Sequence, residues 1–289
     1  MSRFGPIGPI ARRELSTVAR TRSYLLLSVG LAVVFGGAVR GGGVDGGYVP
    51  TAVDLLLPLE LLVPVVAVAL GYRAFGGDND DRSMLLSYPV PKRSLVAGVF
   101  AGRVVGLAAI VGVPLGLVGL VASRAGAPAS RVFATHSGGD SPVLFVRFLA
   151  LTVCFGAVVL AMAMAASVLV RAGRAALAAA VAVAVAVVAG GDLASLAGLT
   201  TGWIGEDALG TALAASPNAA YRGLVLETVV GVVAGGGGAI DVPAAVAGLV
   251  GWLLVSLRVV VAGLDRRSFS DTNAWLARRI RRTIDAFER

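Results

Sequence analysis

Apolar positions in this chain run almost unbroken through six long stretches, separated by short segments in which Gly, Pro, Asp and Arg gather. A hydrocarbon layer about 30 Å thick takes about 20 apolar residues of helix to cross. Six windows meet or approach that length: 23–39, 53–72, 104–123, 148–170, 175–199 and 244–264. The pattern predicts an all-α polytopic membrane protein with six transmembrane helices. The first window is short. The fifth reaches a Gly-Asp step at Gly191 and Asp192, which reads as its outer boundary and makes Asp192 a boundary residue.

The flanks divide the chain further. Residues 1–22 form a basic segment in which Ile7, Ile10, Leu15 and Val18 fall near one face at helical spacing, with Arg12, Arg13, Arg20 and Arg22 free for lipid phosphates. This predicts a cytoplasmic amphipathic elbow leading into the first span. Residues 23–264 make one transmembrane domain, with a cytoplasmic loop at about 73–103 and an outer loop at about 200–243, and residues 265–289 form a basic cytoplasmic tail. In the tail Leu276, Ile280, Ile284 and Phe287 share a face, the pattern of a surface helix on anionic lipid.

Composition agrees, with 57% hydrophobic residues and a mean hydropathy of +0.85. The net charge of +8 matters through its placement and does not call for nucleic acid as a partner. Most of the 25 basic residues fall in the segment before the first span, the loops after the second and fourth, and the tail. The other side holds Arg40, Arg124, Arg131, Arg147 and Arg222. The positive-inside bias therefore predicts both termini in the cytoplasm. Arg258 lies within the last span, near enough to its cytoplasmic end to snorkel there.

The stretch from Gly71 to Arg103 is the most informative cytoplasmic piece. An acidic turn is followed by a short apolar run, then Tyr88, Pro89 and Pro91, the basic step Lys92 and Arg93, and glycines at 98, 102 and 106. Prolines stop one short helix and set the start of the next, and glycines four apart make a close packing seam. Leu85, Leu86, Ser87, Pro89, Val90, Leu95 and Gly98 follow a run of the form LLSxPVxxxxLxxG, with Ser83 just before it and Arg93 within it. On these residues the chain resembles the ABC-2 type permeases of ATP-binding-cassette transporters. With SPNAAYRGLV at 216–225, it looks most like the permeases of nitrous-oxide reductase maturation transporters.

The resemblance implies a permease subunit in the cytoplasmic membrane, paired as a homodimer or with a second permease and driven by a separate ATP-binding-cassette ATPase subunit. In that setting Ser83, Leu85, Leu86, Ser87, Tyr88, Pro89 and Arg93 belong to the loop that couples to the ATPase. The chain lacks a P-loop: its one lysine, Lys92, follows Pro89, Val90 and Pro91. An ATPase-independent carrier or a membrane scaffold is the alternative.

Enzymatic readings fail on inventory. His136 is the one histidine and Cys154 the one cysteine, so no zinc-protease pair, disulfide framework or resident metal cluster is expected, and no cofactor. No G-x-S-x-G elbow occurs. Cu(I) would need soft ligands, and Cys154, Met84, Met162 and Met164 do not converge as a conduit. Among polar residues inside spans, Glu60 is the pathway candidate. It lies between Pro58 and Pro64, whose missing N–H groups disturb the helix beside it, and an intramembrane carboxyl demands a partner or water.

Overall fold

The computed structural model describes residues 7–42, 47–72, 74–75, 90–123, 140–170, 173–203, 205–234 and 240–287, and no strand occurs among them. An elbow helix, α1 (Ile7–Arg20), precedes the first span, α2 (Arg22–Gly42). Spans two to four are α3 (Tyr48–Gly71), α4 (Lys92–Ala122) and α5 (Pro142–Leu169). Span five consists of α6 (Gly173–Val185), a π turn (Ala186–Gly190) and α7 (Gly191–Thr200). Next come α8 (Glu206–Ala215), α9 (Pro217–Val225), a second π turn (Leu226–Val230) and α10 (Gly231–Ala234), and α11 (Val242–Phe287) carries span six. Six of these segments are long and apolar enough to cross a membrane, in agreement with the six windows.

Span four is the central post. Phe148, Phe155, Leu160 and Met164 are fully buried, packed mainly against span two and span six. Its N-terminal end is latched to span two by Asp140, whose carboxylate accepts from the Tyr48 and Val49 N–H groups and so caps α3. The spans on the margin are barely covered: 17%, 11% and 22% of spans one, five and six are buried, against 56% of span four. Their uncovered residues, such as Leu26, Val33, Val181, Val185, Leu193 and Val255, offer apolar surface to lipid or to another chain.

At the opposite end of the bundle, the glycine ladder receives the elbow helix. Ile10 stands over Gly98, Ala11 and Glu14 over Gly102, and Val18 over Gly106. A Cβ on Gly102 would sit 2.5 Å from the Ala11 carbonyl oxygen, so the two backbones approach as only glycine allows. Arg103 locks the seam: its Nε donates to Glu14 Oε2 at 3.0 Å, and its guanidinium also donates to the Leu70 carbonyl at the end of span two. Pro9 is tolerated because it lies in the first turn of α1, where N–H groups have no helical acceptor.

Four sequence-based boundaries differ from the structure. The third span starts at Lys92, well before the expected position 104, and its 31 residues make a helix of about 46 Å that projects beyond a 30 Å core. Residues 92–103, expected as loop, form the projecting part. The charges of Lys92, Arg93 and Arg103 hide it from a hydropathy window. Span five does not stop at the Gly-Asp step: the π turn ends at Gly190, just before it, and the helix runs on through Gly191 and Asp192 to Thr200. The segment expected as an outer loop at about 200–243 is helical over most of its length. Span six continues as one helix to Phe287.

Gly102→Leu should collide with Ala11 and Glu14 and cost about 1–3 kcal/mol, read as a lower melting temperature of the purified protein. Gly112→Leu, on the same helix with open space around the glycine, should change melting little. Equal effects of the two substitutions would show that the seam does not hold the elbow.

Candidate functional site

Glu60 is 5% exposed and sits at the middle of span two, where solvation by lipid would be prohibitive for a charge. Its partners come from the segment between spans five and six. That segment folds back as a helical hairpin: α8 runs inward, the chain turns at extended Ser216, and Pro217 starts α9 outward, its missing N–H harmless at that position. The depth of the tip is fixed by two contacts. Trp252 Nε1 in span six donates to the Ala215 carbonyl at 2.8 Å, and the Tyr221 ring stacks on Phe155 of span four with centroids 4.7 Å apart. The Tyr221 hydroxyl lies 2.9 Å from Thr152 Oγ1. Arg147 donates to the Thr228 carbonyl at 2.6 Å and pins the returning limb near the start of span four.

The hairpin delivers Asn218 and Arg222, one helical turn apart, to Glu60. Arg222 donates through one terminal nitrogen to Glu60 Oε2 at 3.3 Å and through the other to Asp192 Oδ2 at 2.9 Å. Asn218 Nδ2 donates to Glu60 Oε2 and to the Val188 carbonyl, each at 3.4 Å. Val188 lies in the π turn, where the change of helical register disturbs the usual i→i−4 ladder and an outside donor can find a carbonyl. A side chain on Gly191 would strike Ser216, so glycine there lets the hairpin tip close on span five. One guanidinium thus ties span two, span five and the hairpin together.

The network is not saturated. Glu60 Oε1, Asp192 Oδ1, Ser216 Oγ and Asn218 Oδ1 are buried atoms without a described partner. Two carboxylates share a single guanidinium, which leaves an excess of acceptors at mid-depth. Arg222 and Asp192 keep 36% and 34% of their side-chain surface, so one flank of the network is open. Beside it lies a cavity of about 550 Å³ bounded by Met162, Val187, Gly191, Ser195, Ser216 and Trp252. Such an arrangement can hold and release a polar group at mid-membrane.

The remaining sequence candidates scatter. Ser83, Leu85, Leu86, Ser87, Tyr88 and Pro89 lie outside the described residues, as does His136. Arg93 is exposed at the start of α4, beside the exposed Arg258 of span six. Next to it, Lys92 Nζ pairs with Asp265 at 2.9 Å and joins the starts of span three and the end of span six. Cys154 is exposed while Met164 is fully buried. Among the described residues no three His, Cys, Asp or Glu side chains gather as metal ligands. Arg222, Asn218 and Asp192 are the residues that sequence reasoning did not place at the site. The signal for two of them was the segment at 216–225, which carries Asn218 and Arg222 at i and i+4.

Comparison with known proteins accords with this architecture. A family model described as "ABC-2 family transporter protein" matches residues 9–269. A "Probable ABC transporter permease protein NosY" of Pseudomonas aeruginosa is 32% identical over 173 residues, 55% of this chain and 58% of that protein. Its counterpart of the same name in Stutzerimonas stutzeri is 31% identical over 113 residues, 36% of this chain and 41% of that protein. The chain thus spans about half the length of the curated relatives it matches.

Removing one partner of a buried pair strands the other, at a cost of about 3–5 kcal/mol when both are fully enclosed. Arg222 is partly exposed, so Arg222→Ala should destabilise by about 1–3 kcal/mol, with Asp192→Asn costing less. Glu60→Leu combined with Arg222→Met should recover much of the loss. Detergent melting curves of the four proteins check the order, and an Arg222→Ala protein as stable as the parent would remove the network from the structural account.

Proposed function

The chain belongs to the ABC-2 family of transporter proteins, and from that premise we propose that it is the membrane-spanning permease subunit of an ATP-binding-cassette transporter. It resides in the cytoplasmic membrane as a multi-pass protein, with both termini on the cytoplasmic side. Two permease subunits pair, and ATP is hydrolysed by a separate ATPase subunit. The observation that carries this reading is the coincidence of the family match, residues 9–269, with the six-helix bundle and its elbow. The pairing draws support from the uncovered apolar faces of spans one, five and six.

Energy enters through the segment that ends at Arg93. Span three begins about three turns before Arg103 with Pro91 at its N-cap, and these first turns pack against the elbow and the end of span six. Lys92 bonds both Asp265 and the Leu264 carbonyl of span six, while Arg103 bonds the elbow and the end of span two. A push on the residues before Lys92 therefore reaches the elbow and span two through Arg103, and span six more weakly through Lys92. Glu60, with Arg222 and Asp192, is the polar station on the path at mid-depth. Glu60→Gln keeps the shape of the side chain and should preserve assembly while changing transport.

Tagged protein extracted in mild detergent should carry a stoichiometric P-loop ATPase, and its repeated absence would favour an ATPase-independent carrier. Tyr88→Ala or Arg93→Glu should lower ATPase association severalfold without affecting membrane insertion. Wild-type association in both variants would exclude this segment as the docking element. Orientation is checked in a Cys154→Ala background: an impermeant thiol reagent should label a cysteine at position 136 in whole cells and spare one at the C-terminus. The reverse pattern would invert the topology.

A further inference from the structure

At the end of the bundle where the elbow packs, spans three and six part to leave an open groove of about 530 Å³. Its walls are apolar, with Val96 and Ala97 of α4 facing Leu254, Leu257 and Val261 of α11. Two guanidiniums, Arg93 and Arg258, line the same groove. Among the described residues lining it, the one carboxylate, Asp265, is held by Lys92 at 2.9 Å. Arg93 and Arg258 are exposed and have no acidic partner among the described residues, so the groove carries an excess of positive charge.

Depth makes that excess informative. Arg258 lies about two turns, or about 10 Å, inside span six from Asp265. A guanidinium at that level on an exposed face is costly unless it reaches headgroups or meets an anion. Both conditions are met by a molecule that brings a phosphate to the mouth of the groove and hydrocarbon to its walls. A free phosphate ion would satisfy the arginines and leave the Leu254, Leu257 and Val261 surface bare. Zwitterionic lipid would fill the walls but bring its own cation to a site already cationic. We propose that this groove binds one anionic phospholipid, its phosphate between Arg93 and Arg258 and its acyl chains against Val96, Leu254 and Leu257. The lipid then sits between the two helices that the Lys92–Asp265 pair clamps, and its presence props their separation.

The test uses the full chain, delipidated in detergent and titrated with palmitoyl-oleoyl phosphatidylglycerol, with the phosphatidylcholine of the same chains, or with inorganic phosphate. Native mass spectrometry should find one phosphatidylglycerol retained per chain, bound about tenfold or more tighter than phosphatidylcholine, with a rise in melting temperature that inorganic phosphate does not reproduce. Arg258→Gln should remove the preference for the anionic lipid. Ala262→Trp, which fills the groove and leaves both arginines in place, should reduce retention of either lipid. Equal affinity for the two lipids, an unchanged preference in Arg258→Gln, or full retention in Ala262→Trp would overturn the proposal. Protection by inorganic phosphate equal to that by phosphatidylglycerol would replace the lipid with a free anion and overturn it as well.

Discussion

A charge at the middle of a membrane helix must be met from within the protein, and at Glu60 that requirement shapes the bundle around it. Span two alone cannot meet it, because its buried face is otherwise apolar apart from Thr51, more than two turns away. The answer is Arg222, carried to mid-depth by a hairpin that Trp252 and Phe155 hold in place. Once Arg222 is there, its second terminal nitrogen needs an acceptor, and Asp192 supplies it from span five. The π turn places Asp192 and the Val188 carbonyl toward the hairpin, and Gly191 keeps the approach clear. One buried carboxylate is thus the point at which the hairpin and, through Asn218 and Arg222, span five are joined to span two.

The second constraint is steric and sits at the other end. Gly98, Gly102 and Gly106 remove side chains from one stripe of α4, and α1 settles into the space with its own small or branched residues. Apolar burial drives such packing weakly where lipid competes, so close backbone approach and the Arg103 bonds to Glu14 and Leu70 carry much of the specificity. The elbow is consequently part of the bundle as well as a lipid-facing strip: Val18 is buried and Ile10 packs against the core, while Arg12, Arg13 and Arg20 stay exposed.

The six spans, the elbow and the glycine seam were legible in the sequence because each rests on a local pattern: apolar length, helical spacing, or small residues four apart. What escaped depended on distant partners. The first turns of α4 carry Lys92, Arg93 and Arg103, which lower local hydropathy, yet Asp265 and Glu14 pair with two of them. The hairpin helices, α8 with 10 residues and α9 with 9, are each too short to cross a membrane, and their Gly, Ala and Ser content resembles a loop. Arg222, counted by position as an outer charge, is drawn inward by Glu60. Glu60 itself was readable as a site because a carboxyl in so apolar a run has no local explanation. Asp192, beside a Gly-Gly step, had one, and was read as a boundary for that reason.

The two ends of the bundle are built differently, and the difference has mechanical consequences. The end that carries Asp140 is fixed by the stacked Phe155 and Tyr221 rings, by the tilted Phe145–Phe148 pair, by Asp140 on the α3 terminus and by an exposed bond from Arg147 to the hairpin. The basic end is held by ion pairs of graded exposure: Arg103 with Glu14 at 12% and 15%, and Lys92 with Asp265 at 30% and 55%. Exposed pairs are weak and exchange readily with water or headgroups. Span three is therefore held firmly to the elbow and loosely to span six, so displacement of its projecting start should open the groove toward span six before it breaks the seam. Motion would then pass along α4, whose Leu107 packs against Gly156 of span four together with Val63 of span two, one turn from Glu60. In the proposed transporter, a firm seam on one side and a yielding pair on the other would let the start of this helix act as a lever on the polar network at its centre.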